Sequence, residues 1–419
     1  MLIIYSALRL GGIETFFVRL AKKRYEMGLT TKILLELDKE YSNKELLEEA
    51  YKYSEIYFIK DLFWDVPLIR KKLLLLCPFK KRYINDIVLN IKQIHVANGY
   101  YALLANRIIE KTKIKVPLTV GFYHSKEFAY FKKRTPSFIK IQNDFVLKNI
   151  NKHNLITFSD SVNNYFLKSH NICLDGSNIF RIGVIDKLST QIFARKTIKT
   201  IKILSIGRIV NFKTYNFWML EVVRNLLKKG ISVEYHIYGD GPEFGKLKDL
   251  IDSYNLSKNI FLKGSVNYSQ IKTIMISFDL FIGSGTSIVE ASSLGIPSIV
   301  GIESTKEPLT YGFFSDVCMY DYNIDGLDLV KCSVEELILK YLKMDYKERY
   351  NLSKLHSESI KPFLMSTTVE NFESLNGNCV HQKKLNLLNY IEHETDKLYH
   401  GVVAKFTRKH PLDVKYNLQ

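Results

Sequence analysis

The feature that most constrains this 419-residue chain is an alternation of short apolar runs with amphipathic helical stretches that proceeds, pauses and starts again. Strand-like runs of the first series are LIIYSAL (2–8), TKILLEL (31–37), EIYFIK (55–60), IHVAN (94–98), PLTVGFYH (117–124), NLITFS (154–159) and NIFRIGV (178–184). Between the first two, Ile13, Phe16, Phe17, Leu20 and Ala21 follow the spacing of one helix face, with Gly28 as the stop. A polar connector at roughly 185–200 breaks the pattern. The second series is IKILSIG (201–207), helix 216–229, VEYHIYG (233–239), helix 242–254, NIFLKG (259–264), helix 269–277, DLFIGSG (279–285), helix 286–294 and PSIVGI (297–302), then a helical stretch around 333–349. Such alternation builds parallel sheets covered by helices on both faces. The expected fold class is therefore α/β, with two doubly wound Rossmann-like domains (1–190 and 200–360) facing a ligand cleft. Two independent domains with unrelated roles fit the same pattern. Residues 361–419 read as a polar, partly helical tail, for which a return to the first domain is one course.

Charge narrows the partners. The net charge is +17, and residues 1–195 hold 32 basic against 18 acidic side chains. Within 66–148 the excess is 17 against 4. A local surplus of that size points to an acidic partner. LLLLCPF (73–79), flanked by Lys71, Lys72, Lys80, Lys81 and Arg82, is too short to span a bilayer but suits its surface. An anionic membrane surface is thus the expected partner of the basic half. A nucleic-acid-binding protein would also explain the charge, but it would need a recognition motif that is absent here, so no nucleic acid is expected. Five dispersed cysteines without a C-x-x-C pair argue against a disulfide framework or structural zinc and fit a reducing cytoplasm. The opening MLIIYSALRL lacks a basic leader and reads as a first buried strand, so the expected location is cytoplasmic, at most peripheral to the membrane.

Several residues can carry chemistry, each with a plainer reading beside it. Gly11 and Gly12 follow the first strand and open the first helix, where backbone N–H groups can approach a phosphate; a tight turn explains the pair equally well. Arg208 follows a strand of the second series and Lys213 precedes the next helix. Together they suit a diphosphate, although an ordinary solvated loop has the same composition. In SGTSIVEASSLGIPSIV, Gly283 and Gly285 end a strand, and Thr286 or Ser287 is placed to cap the following helix, whose start forms a second anion site. Glu290, one turn in, can accept hydrogen bonds from sugar hydroxyls or simply favour the helix dipole. His124 ends the strand PLTVGFYH and can contact a sugar hydroxyl or phosphate, or be structural. No G-x-G-x-x-G, P-loop or H-E-x-x-H pattern supports a dinucleotide, P-loop or zinc site.

GGIET, SIGRIVNFK, HIYGDGPE (236–243) and SGTSIVEASSLGIPSIV, in this order and spacing, resemble the family-4 glycosyltransferases of the GT-B fold. The resemblance covers 2–302 and is strongest over 201–302. It implies transfer of a sugar, with retention, from a nucleoside diphosphate donor to a growing surface polysaccharide or lipid-linked glycan, with no required metal or further cofactor. It also implies that Arg208 and Lys213 clamp the diphosphate, that Gly11 and Gly12 approach it, that Glu290 binds ribose and that His124 contacts the donor sugar. The anion site read above at Gly285, Thr286 and Ser287 is the expected further contact to the donor. One departure stands out. Family members carry two glutamates separated by seven residues, and here the first of these positions is Ile282. Ser284, Thr286 or main-chain groups can take over its contacts, the donor can differ, or the chain can be a non-catalytic sugar-nucleotide-binding module.

Overall fold

The computed structural model describes residues 1–9, 11–64, 73–124, 126–131, 134–188, 194–266, 268–317, 322–375, 385–407 and 411. They divide into two compact units, Met1–Ile182 with Thr368–Gln419, and Gly183–Thr367.

In the first unit β1 (Leu2–Tyr5), β2 (Lys32–Leu35), β3 (Glu55–Phe58), β4 (Ile94–Val96), β5 (Leu118–Gly121) and β6 (Leu155–Ile156) form a parallel sheet in the order β3-β2-β1-β4-β5-β6. Its helices are α1 (Gly12–Glu26), α2 (Lys44–Tyr53), α3 (Lys81–Val88), α4 (Gly99–Thr112), α5 (Ser137–Asp144) and α6 (Asp160–His170). In the second unit β7 (Ile201–Ile206), β8 (Val233–Tyr238), β9 (Ile260–Gly264), β10 (Leu280–Gly283) and β11 (Ser298–Val300) are parallel in the order β11-β10-β7-β8-β9. They alternate with α7 (Tyr215–Lys228), α8 (Phe244–Ser253), α9 (Tyr268–Met275) and α10 (Thr286–Ser293), and α11 (Val334–Lys343) and α12 (Tyr346–Ser359) follow. The chain then crosses from the second unit to the first within α13 (Met365–Ser374) and ends its described helices with α14 (Leu387–Thr407).

The strands are nearly continuous apolar runs because helices cover both sheet faces. In β7, Ile201, Ile203, Leu204 and Ile206 are all buried. The α1 stripe buries Phe16, Phe17, Leu20 and Ala21, and Gly28 follows with φ 74°, the left-handed conformation that suits a helix end. Asn98 starts α4 by accepting the Tyr101 N–H at 3.0 Å.

Two sequence expectations change. NIFRIGV (178–184) is not a strand: only an isolated bridge joins Asn178 to Ile156, and the chain passes from one unit to the other between Ile182 and Gly183. The run at 73–79 is not a bilayer-facing surface. Leu74, Leu75, Cys77 and Phe79 are buried in the first unit, Phe79 stacks on Phe63 at 4.6 Å, and the Arg107 guanidinium lies over its ring. The flanking Arg70, Lys71 and Lys72 lie outside the described residues, whereas Lys81 and Arg82 are exposed on α3. The tail takes the course that the sequence left open, back to the first unit, and packs there through polar partners. In α14, Tyr390, His393 and Glu394 are buried; Asn106 donates to the Tyr390 hydroxyl at 3.0 Å, and Gln142 meets His393 Nε2 at 2.8 Å. Asp396 caps α5 by accepting the Phe138 N–H at 2.9 Å. No helix among the described residues is long and apolar enough to cross a membrane.

Candidate functional site

The strand order of the second unit fixes where a ligand can sit. From β7 the chain winds through β8 and β9 to one side, then returns to β10 and β11 on the other. The crevice at the carboxyl ends of β7 and β10 is thus the topological switch point, the usual binding place of open α/β sheets. Residues from both strand ends meet there.

After β7, Gly207 is followed by exposed Arg208, buried Ile209 and Val210, and half-buried Lys213. Arg208 forms no ion pair among the described residues and presents its guanidinium to solvent. The Lys213 ammonium lies against Gly207, about where a Cβ of that residue would meet it at 3.0 Å. Burial lowers the Lys213 pKa; the Glu303 carboxylate opposes this, and the Arg208 charge adds to it. A buried cation with a second cation beside it is costly alone and favourable once an anion arrives.

HIYGDGPE holds this loop in place. A Cβ on Gly239 would stand 1.9 Å from the Gly207 carbonyl oxygen, and one on Gly241 would stand 2.2 Å from that of Ile209. With glycine at both positions the two loops lie in contact. The Ile209 N–H donates to the Asp240 carbonyl at 3.0 Å, and the Glu243 N–H to the Ile209 carbonyl at 3.2 Å. The glycines therefore hold in place the loop that carries Arg208.

After β10, Gly283 and buried Ser284 lead to Gly285, which has φ 65° and precedes α10. Neither Thr286 nor Ser287 caps the helix, contrary to the sequence expectation. Gly285 is the cap residue, no side chain among the described residues accepts the first N–H groups, and Ser287 Oγ instead donates to the Ser284 carbonyl at 3.2 Å. The Tyr322 hydroxyl fixes the turn by donating to the Gly285 carbonyl at 2.6 Å. Gly285 and Thr286 are exposed, so the positive end of α10 faces solvent. Glu290 stands half-buried one turn further along α10.

Ile282 does not border this crevice. It pairs with Ile299 in the middle of the sheet and is wholly buried in the apolar core, where a carboxylate would be desolvated without a partner. The carboxylate at the crevice is Glu303, which follows β11 and which sequence reasoning missed. Ser284 Oγ donates to Glu303 Oε1 at 2.7 Å, and the Tyr215 hydroxyl lies 3.3 Å from the same Oγ.

The first unit holds the other candidates. Gly11 is the cap residue of α1, and Thr15 Oγ1 donates to its carbonyl at 2.7 Å. The Glu14 carboxylate already sits against Gly11, 2.4 Å from where a Cβ would stand, while Gly12 has open space around it. The Tyr5 hydroxyl donates to Glu14 Oε1 at 3.3 Å, and burial together with that carboxylate pushes the phenol pKa up. His124 does not end a strand: β5 stops at Gly121, and His124 is exposed in the following turn, its Nδ1 accepting the Lys126 N–H at 3.1 Å. Sequence reasoning also passed over His95, wholly buried on β4 between Thr119 Oγ1 (3.0 Å) and the Tyr123 hydroxyl (2.8 Å), with its pKa lowered by burial to about 3.

Comparison with known proteins bears on the fold and on the second unit. Residues 189–305 match the family described as glycosyl transferases group 1. Poly(ribitol-phosphate) alpha-N-acetylglucosaminyltransferase of Staphylococcus aureus (strain COL) is 31% identical over 153 residues, 35% of this chain and 29% of that protein. 2-Deoxystreptamine N-acetyl-D-glucosaminyltransferase of Niallia circulans is 25% identical over 247 residues, 51% of this chain and 60% of that protein. The chain thus spans less than two thirds of these relatives' own length. Among solved structures, Anabaena HepE in complex with UDP aligns with a TM-score of 0.61 at 14% identity, covering 89% of this chain and 98% of that one. A variant of S. aureus TarM in complex with fondaparinux, α-GlcNAc-glycerol and UDP aligns with a TM-score of 0.57 at 15% identity, covering 90% and 99%. Two parallel-sheet α/β units with these neighbours define the GT-B fold. Within it, the second unit carries the group 1 glycosyl transferase match and the cationic switch-point site.

Proposed function

We propose that the chain is a retaining family-4 glycosyltransferase that moves a sugar from a nucleoside diphosphate donor to a glycan or lipid-linked acceptor. The observation that carries this reading is the pair Arg208 and Lys213 at the switch point beside the uncapped start of α10. Arg208 offers a planar fork, Lys213 a point charge, and α10 its first N–H groups. All three suit a diphosphate. As the bond from the sugar to the β-phosphate breaks, negative charge collects on the departing diphosphate, and these groups stabilise it. Preorganised stabilisation of this kind is usually the largest catalytic term. The acceptor hydroxyl attacks the same face of the anomeric carbon, and its proton passes to the departing phosphate oxygen, so no separate base is required. Glu290 is assigned to the donor ribose.

The relatives' names and the UDP in two neighbouring structures favour a UDP-linked N-acetylhexosamine as the first donor to test. The exposed cations Lys81 and Arg82 favour an anionic acceptor surface at the cytoplasmic face of a membrane. Release of nucleoside diphosphate from a panel of nucleotide sugars tests the reading. Wild-type chain should turn over at least one of them, and Arg208→Ala should slow that turnover by about 10²-fold while melting normally. Equal rates in the two proteins remove the diphosphate assignment.

A further inference from the structure

The crevice of the second unit contains a carboxylate, Glu303, close enough to the Lys213 ammonium to support its charge. Glu303 sits where β11 has ended, with its N–H donating to the Asn323 carbonyl at 2.9 Å. The next N–H, of Ser304, donates to the Phe212 carbonyl at 2.7 Å, which ties this segment to the loop that carries Lys213. One carboxylate oxygen, Oε1, accepts from Ser284 Oγ at 2.7 Å. The Ser284 hydroxyl has a single proton, already given to Glu303, so it accepts from the buried Tyr215 hydroxyl at 3.3 Å. This chain orients the carboxylate from one side. The other oxygen, Oε2, has no hydrogen bond or ion pair among the described residues, and the side chain is only half-buried.

A negative charge held near Lys213 offsets part of that cation's pull on a diphosphate. It is best matched by a ligand that also places hydrogen-bond donors there. Phosphate oxygens have none, whereas the hydroxyls of a sugar attached to the diphosphate do. The position that the family resemblance would give to a carboxylate, Ile282, is buried in the sheet core and cannot supply this contact.

Resting on the nucleotide-sugar reading above, we infer that Glu303 is a specificity-determining residue, accepting through Oε2 a hydrogen bond from a hydroxyl of the sugar being transferred. Glu303 thereby selects among donors by the presence of that hydroxyl, and Tyr215 and Ser284 act as positioning residues behind it.

The test compares wild type with Glu303→Gln, whose amide oxygen can still accept from Ser284. Calorimetry gives affinities for UDP, GDP, ADP and TDP and for the matching nucleotide sugars. Turnover is measured on the best donor and on its monodeoxy sugar analogues, at pH 6.5 and 8. In the variant, kcat/KM for the best donor should fall about tenfold or more. One monodeoxy donor, strongly disfavoured by wild type, should become nearly as good as its parent, while affinity for the free nucleoside diphosphate does not weaken. Glu303→Ala should show the same loss of discrimination.

Unchanged discrimination among deoxy donors overturns the assignment, as does an equal loss of affinity for free nucleoside diphosphate and for nucleotide sugar. A loss confined to pH 8 belongs to Lys213, whose charge Glu303 supports, and also overturns it. Wild-type chain that binds no nucleoside diphosphate overturns the functional reading together with this one, which separates the two failures.

Discussion

Replacing Lys213 by Met separates what this residue does for the fold from what it does for a ligand. Met keeps most of the side-chain length and flexibility, so the space beside Gly207 stays filled. What disappears is the ammonium. Loss of a hydrogen bond to a charged group costs about 1.5–3 kcal/mol, which is about 10- to 150-fold in affinity at 1.4 kcal/mol per decade. Affinity for a nucleoside diphosphate should fall within that range. Stability should move the other way. Burial lowers the Lys213 pKa below its unfolded value, so the native state binds this proton less tightly than the unfolded chain does. The cost of holding the charge is therefore fully present below the folded pKa and disappears as pH rises through the window between the two values.

Near neutrality Lys213→Met should consequently melt at or above the wild-type temperature, and the advantage should shrink as the pH is raised. Calorimetric titration and thermal melts at pH 6, 7.5 and 9 check both halves. A variant that binds as tightly as wild type, or that loses affinity and several degrees of melting temperature together, refutes the reasoning.

Gly239→Ala should be worse than its size suggests: the new methyl meets the Gly207 carbonyl, overpacking costs about 1–3 kcal/mol, and the displaced loop should take Arg208 and nucleotide binding with it. Chemical denaturation and titration read the two effects. Glu290→Gln should weaken nucleoside diphosphate binding by about 1.5–3 kcal/mol if it holds ribose, and calorimetry with unchanged affinity would place it outside the site. His95 is held neutral until about pH 3, whereas the unfolded chain takes up that proton near 6.5, so stability should fall as pH drops through this interval. In His95→Phe melts the dependence should flatten. Binding to anionic vesicles should weaken with salt and with Lys81→Glu plus Arg82→Glu; because the 73–79 run is buried, tryptophan or lipid probes should report no insertion.

The double winding was legible because parallel strands buried on both faces leave apolar runs that sequence periodicity marks directly. The positions of Arg208 and Lys213 after β7 were legible for a related reason: strand ends locate switch-point loops, and charged residues in such loops stand out. Glu303 was not. Its role depends on Ser284 and Lys213, brought together only by the pairing of β7, β10 and β11, and no local pattern marks a carboxylate after a strand. The LLLLCPF run misled because apolar content does not distinguish a core from a bilayer, and here Phe63 and Arg107 cover it. The tail was obscure because it docks by buried polar groups, His393 on Gln142 and Tyr390 on Asn106, which leave a hydrophilic sequence. The α10 start was misjudged for a smaller reason. Gly285 with φ 65° turns the chain into the helix, so neither adjacent hydroxyl is needed as a cap.

A crystal structure with a bound nucleoside diphosphate tests the central claim most directly. The account predicts diphosphate oxygens about 2.7–2.9 Å from the Arg208 guanidinium and the Lys213 ammonium, the positive end of α10 directed at them, and the ribose hydroxyls on Glu290. A nucleotide bound elsewhere, or a diphosphate in the crevice that touches neither cation, would contradict it.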